Sequence, residues 1–166
     1  MALRKIRWQQ FLMANLERNV PVFSNDAQRD AVYRRMEKRI ACGPFDGGCV
    51  AFAMALQQIH GGDIMVVEGR SLSRLDTFRQ PVYRGALMAQ HAIVVFPDGT
   101  AMDADGRCSV KLMLRRTARW THPIASVEGI RALQDGDLED APRDAALIHE
   151  LVDLLRPAPS FDSLTL

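Results

Sequence analysis

The sequence predicts an α+β fold. Three observations carry this: helical periodicity toward both ends of the chain, a wholly apolar helix candidate near its centre, and an apolar strand candidate after it that ends at an Asp-Gly turn. At 166 residues the chain suits one domain, expected over 1–156 with a tail at 157–166. Hydrophobic residues at 48% and charged residues at 25% are ordinary for a packed domain and argue against wholesale disorder.

Residues 3–18 read as a basic amphipathic helix with Ile6, Phe11, Leu12 and Leu16 on one stripe, docked on its own domain rather than on a membrane. Pro21 interrupts the pattern. Ser24, Asn25 and Asp26 then offer caps for a second helix, whose apolar positions are Ala27, Ala31, Val32, Met36 and Ile40. Gly43-Pro44-Phe45-Asp46-Gly47-Gly48 is a loop by composition. The third helix runs from Cys49 to about Ile59, apolar all round and therefore buried on most faces. Ile64–Val67 is a strand, residues 69–88 include a long loop, and His91–Phe96 is the strongest strand.

Pro97-Asp98-Gly99-Thr100 is a turn, and Ala101–Asp105 is the strand returning from it. The register of that hairpin is open. A two-residue turn pairs Ile93 with Ala104 and turns Asp103 and Asp105 away from His91; a three-residue loop or bulge pairs Ile93 with Asp103 and brings them to its side. Cys108–Leu114 reads equally as strand or short helix. Residues 141–155 form a last helix with Ala145, Ile148, Leu151, Val152 and Leu155 inward.

Several function classes are disfavoured. The longest apolar run, Cys49–Leu56, is far below the ~20 residues of a membrane span. Arg4, Lys5 and Arg7 are not followed by an apolar signal core, so the expected location is the cytoplasm, with secretion lacking a cleaved signal also compatible. Three cysteines, Cys42, Cys49 and Cys108, without paired metal-ligand spacings give neither a disulfide framework nor a zinc site, and no metal or cofactor is expected. Residues 1–40 carry nine Lys/Arg against four Asp/Glu, and residues 128–166 three against nine. The simplest reading is that the two ends pack and neutralise; no nucleic-acid motif accompanies the basic end.

Cys49 opens a buried helix, where unpaired N–H groups and the helix dipole favour a thiolate. Gly47 and Gly48 before it permit close approach of a substrate to the backbone. Asp46 either closes the loop as an Asx turn or lines the site. His91 is the candidate base, and Asp103, or alternatively Asp105, the acceptor that fixes its tautomer. Cys42 and Cys108 read as inert thiols. His60, His122 and His149 read as structural or solvated, Arg115, Arg116 and Arg119 as a solvated basic face, and Trp8 and Trp120 as packing residues.

The run Gly47-Gly48-Cys49-Val-Ala-Phe-Ala-Met-Ala-Leu56, then His91-Ala-Ile-Val-Val, then Asp98-Gly99-Thr-Ala-Met-Asp103-Ala-Asp-Gly106 resembles the papain-like and transglutaminase-like cysteine enzymes over about residues 43–106. That resemblance implies a central buried helix packed on a small antiparallel sheet with flanking helices. It implies a Cys49–His91–Asp103 triad acting on a peptide bond or glutamine side chain through a thioester, in a protein or peptide substrate. The papain glutamine before the cysteine and tryptophan after it are absent, with Asp46 and Val50 nearby instead, and Ile93 stands where transglutaminases carry an aromatic residue. The layout matches, and no particular substrate carries over. By analogy with other small specialised enzymes, the chain reads as a bacterial or phage accessory protein. The alternative is a catalytically inactive binding or assembly protein of the same fold that engages a protein partner.

Overall fold

The computed structural model describes residues 19–74, 83–122, 124–138 and 141–157. The expected helix at 3–18 with Trp8, and the tail from residue 158 onward, lie outside the described residues. Within them are four helices and a five-stranded, wholly antiparallel sheet. No helix among the described residues is long and apolar enough to cross a membrane.

Helix α1, Asp26–Ile40, is capped by the Asn25 side chain, which accepts from the Gln28 N–H at 2.9 Å. The Gln28 side chain in turn accepts from the N–H of Ser24, one residue before the cap, an arrangement related to the capping box. Val32 and Met36 are its fully buried residues. Helix α2, Cys49–His60, buries seven of its first eight residues, as its continuous apolar run requires.

The sheet comprises β1 (Asp63–Ser71), β2 (Leu87–Val95), β3 (Thr100–Asp103), β4 (Gly106–Ser109) and β5 (Ala125–Ala132) in the order β4-β3-β2-β1-β5. Helix α3, Val110–Thr121, follows β4 without a loop, with Ser109 as its cap. The 108–114 segment is therefore strand and then helix. Helix α4 is Ala145–Leu155, capped by Asp144.

Helix α2 packs on one face of the sheet, α4 packs on α2 and α1 on α4, and their buried residues form one cluster with Ala92, Val94, Phe96 and Met102. The opposite face, with Val67, Ile93, Ala101 and Cys108, packs with Met113 of α3. The basic α1 and acidic α4 meet: Arg35 Nη1 lies 2.5 Å from Glu150 Oε2, and Arg39 pairs with the other carboxylate oxygen. Such exposed pairs contribute about 0–1 kcal/mol each.

Several sequence expectations require correction. Strand β1 runs on to Ser71, beyond the expected Ile64–Val67, and β2 begins at Leu87, before the expected His91. The strand returning from the turn is Thr100–Asp103, with Ala104 and Asp105 in the next turn. Helix α4 starts at Ala145 rather than 141, and its inward residue in the first turn is Leu147, with Ala145 exposed. Strand β5 was not expected from the sequence.

The hairpin register is the three-residue one. Phe96 donates to the Thr100 carbonyl at 2.9 Å, Gly99 adopts φ 80°, and Val94 pairs with Met102 and Val95 with Ala101. Asp98 fixes the turn by accepting from the Thr100 N–H at 3.0 Å and from Arg107 at 2.9 Å. The Arg107 guanidinium also sits 3.9 Å above the Phe96 ring.

The next turn is equally constrained. Gly106 has φ 129°, and a Cβ there would fall well inside contact distance of the Val20 carbonyl oxygen, because Val20 bridges to Arg107. Gly106→Ala is therefore expected to cost about 1–3 kcal/mol. Gly129→Ala, at a position with open space and no positive φ, is expected to change stability by less than about 0.5 kcal/mol. Urea denaturation midpoints check both.

Candidate active site

Helix α2 begins differently from the other three helices. Gly48 provides no side-chain cap, and the first intrahelical bond is Phe52 N–H to Gly48 C=O at 3.1 Å. The N–H groups of Cys49, Val50 and Ala51 thus precede the helical ladder, and Cys49 stands among them. Gly48 is obligatory for packing: a Cβ would run into Met36 and the Gly43 carbonyl. Gly47 has φ 129°, which favours glycine.

His91 lies on the central strand β2 beside an irregularity. Val67 pairs with His91 but Glu68 pairs with Ala89, so Gln90 is an extra residue in β2. Bulges of this kind re-aim neighbouring side chains. Strands β2 and β3 pair through Val94 with Met102 and Val95 with Ala101. Next to His91, the Ala92 N–H favours the ionised form of the Cys49 sulfur.

Cys49, His91 and Asp103 are all nearly sealed from solvent, at 8%, 4% and 2% exposure. His91 Nε2 lies 3.1 Å from Asp103 Oδ2, which leaves Nδ1 as the ring nitrogen for Cys49. Asp103 Oδ1 accepts from the Asp105 N–H at 3.0 Å and from Arg116 Nη2 at 2.6 Å. Burial opposes ionisation of Cys49, but hydrogen bonding to His91, its positive charge, and the N–H groups of Ala92 and Val50 outweigh it. The thiol pKa is lowered. Burial likewise opposes the imidazolium, yet Asp103 and Cys49 raise the His91 pKa to about 9. Cys42 and Cys108 go the other way, pushed up by burial.

The remaining expected site residues take other places. Asp105 sits in the turn, its carboxyl raised by burial and by Asp103, and it contributes its backbone N–H rather than its side chain. The Asp46 carboxylate accepts the Gly43 N–H and closes the loop. The Gly48 N–H is taken by the Gly43 carbonyl at 2.9 Å. His60, at the far end of α2, and the exposed His149 are away from the cluster. No group of three or more His, Cys, Asp or Glu among the described residues is arranged to hold a metal.

Three site residues escaped sequence reasoning. Phe45 stacks on the His91 ring at 5.6 Å, and Trp120 meets it edge-on at 5.2 Å. The two aromatics touch each other at 4.6 Å and remain partly exposed, at 38% and 41%. Arg116 is not solvated: its side chain is 15% exposed and paired with Asp103. The i, i+4 spacing of Arg116 and Trp120 was the available signal, once α3 is recognised as a helix. Beside Phe45, a cleft of about 860 Å³ runs between α1 and the 43–46 loop, with Tyr33, Arg34, Lys38 and Asp46 in its walls.

Comparison of the chain with protein-family models, with curated proteins and with solved structures gives no match.

The lowered thiol pKa has a direct consequence: thiolate persists at pH values where an ordinary cysteine is protonated. Iodoacetamide is expected to modify Cys49 well below the usual range of about 8.5, while Cys42 and Cys108 stay slow. His91→Ala is expected to remove that advantage. Site-resolved mass spectrometry across pH checks it; equal reactivity of Cys49 in both proteins overturns it.

Proposed function

We propose that this protein is a cysteine-dependent hydrolase or acyltransferase of papain-like layout, acting on an amide through a thioester. The observation that supports this most is the ordered contact of three sealed side chains: a thiol at an uncapped helix start, an imidazole coupled to it, and a carboxylate on the far ring nitrogen.

In this mechanism the Cys49 sulfur attacks the amide carbonyl carbon, and the Cys49 N–H donates to the resulting oxyanion. His91, protonated in the resting pair, delivers its proton to the leaving nitrogen; the C–N bond breaks and the C–S bond of the thioester remains. Neutral His91 then removes a proton from an incoming water or amine, which displaces the sulfur and restores the ion pair. Asp103 keeps the imidazole oriented with Nδ1 toward the sulfur. Phe45, whose ring stacks on His91, is also a wall of the cleft between α1 and the 43–46 loop, which would hold part of a peptide substrate.

A second reading, a catalytically silent binding protein of the same fold, is favoured by one observation: Phe45 and Trp120 cover His91 on two sides.

The test is incubation with a library of glutamine-containing peptides plus a primary amine, read by mass spectrometry. Peptide fragments indicate hydrolysis, conversion of Gln to Glu indicates deamidation, and amine incorporation indicates transfer. Any of these is expected to vanish in Cys49→Ala and to fall by about 10²–10⁴-fold in His91→Ala. If no product forms and Cys49 alkylates no faster than Cys42, the binding reading replaces the enzyme reading.

A further inference from the structure

Arg116 projects from α3 across the sheet face to the carboxylate that holds His91. Its Nη2 is 2.6 Å from Asp103 Oδ1, while His91 takes Oδ2 of the same group. Its Nη1 donates to Asn19 Oδ1 at 2.8 Å, and Asn19 itself donates to the Asp105 carbonyl. The Arg116 Nε is buried and has no partner among the described residues. The guanidinium is therefore not there to satisfy its own donors; the strong contact that holds it is the buried carboxylate.

The ionisable groups around His91 are Cys49 from α2, Asp103 from β3 and Asp105 from the turn after it, and Arg116 from α3 meets Asp103 on the carboxylate oxygen that His91 does not use. Phe45 and Trp120 complete its surroundings and carry no charge. With the resting ion pair, charge alternates along this line: thiolate, imidazolium, carboxylate, guanidinium. Without Arg116 the buried Asp103 carboxylate loses its cationic partner, and this line of four groups is left one positive charge short beside Asp105, an expensive state. Asp103 would then act on His91 undivided, and the imidazolium would hold its proton more tightly.

We propose that Arg116 is a positioning residue that anchors the Asp103 carboxylate toward His91 and limits its pull on the imidazolium proton. This deepens the enzyme reading and rests on it for its catalytic meaning: His91 must release its proton to the leaving nitrogen, and an unmoderated Asp103 would hinder that step.

The test follows the His91 imidazole by NMR titration in a Cys49→Ala background, which removes the coupled thiol. Arg116→Gln is expected to raise the His91 midpoint by about one pH unit. Arg116→Lys, which keeps the charge, is expected to move it less than half as far. His60, His122 and His149 serve as internal controls and are expected to stay in place. If Arg116→Gln does not fold, Arg116→Met, with an apolar chain of similar length, carries the comparison. An unchanged or lowered His91 midpoint in the neutral variant overturns the proposal, as does an equal rise in Arg116→Lys. Failure of the enzyme reading shows separately, as absent peptide turnover and ordinary Cys49 alkylation with Arg116 intact.

Discussion

Between Phe96 and Thr100 the chain reverses through three residues, and the resulting register decides which side chains of β2 and β3 share a face. Strand side chains alternate with period two, so a one-residue slip would carry Asp103 to the opposite face of the sheet and leave His91 without its acceptor. The turn resists that slip through several modest contacts acting together. Gly99 supplies the positive φ, the Asp98 carboxylate holds the Thr100 N–H and hydroxyl, and Arg107 ties Asp98 to β4 while lying on Phe96. Each contact is worth on the order of 1 kcal/mol. Their joint effect is to fix the geometry around a histidine that none of them touches.

The register alone would not make the buried cluster stable. Each ion taken out of water costs several kcal/mol, whereas two opposite charges about 4 Å apart recover on the order of 4 kcal/mol at an effective dielectric of 20. An isolated thiolate at Cys49 would therefore return to the thiol, as burial dictates for Cys42 and Cys108. The difference at Cys49 is that each charged member has an opposite neighbour and N–H groups meet the sulfur. Phe45 and Trp120 strengthen these interactions by excluding water, and the aromatic face over His91 itself favours a cation.

Much of this was legible in the sequence because local rules and tertiary packing agree there. The Asn25 cap with its apolar stripe, the wholly apolar run after Gly48, and the Asp-Gly turn all read as they fold. The hairpin register did not, because it depends on a loop one residue longer than the tight alternative. Strand β5 was illegible for a related reason: its pairing with β1 shifts between Glu68 and Gly69, so its inward–outward alternation breaks midway, and Gly129 and Arg131 weaken its β signal. Helix α3 begins inside an apolar run directly at the end of β4, with no loop to mark the change. Without that helix, Arg116 and Trp120 could not be placed on one face, and the basic cluster looked solvated.

The start of α2 shows how fold and site bear on each other. Asn25, Ser109 and Asp144 each cap a helix with a side-chain oxygen, and such a cap is typically worth about 1 kcal/mol. At α2 the equivalent position is Gly48, and no capping residue fits there, because any Cβ would collide with Met36 and the Gly43 carbonyl. The crowding that forbids the cap is what presses the 43–48 loop against α1 and carries Phe45 over His91. The Cys49 sulfur stands beside the N–H groups left uncapped, and its ionised form is favoured by the Val50 N–H at the helix start and by the Ala92 N–H of β2. The helix forgoes an ordinary cap, and the sulfur takes over part of that work more effectively when ionised. Thiolate formation and helix initiation are thereby coupled: the backbone N–H groups at the start of α2 favour the charged form of its first side chain.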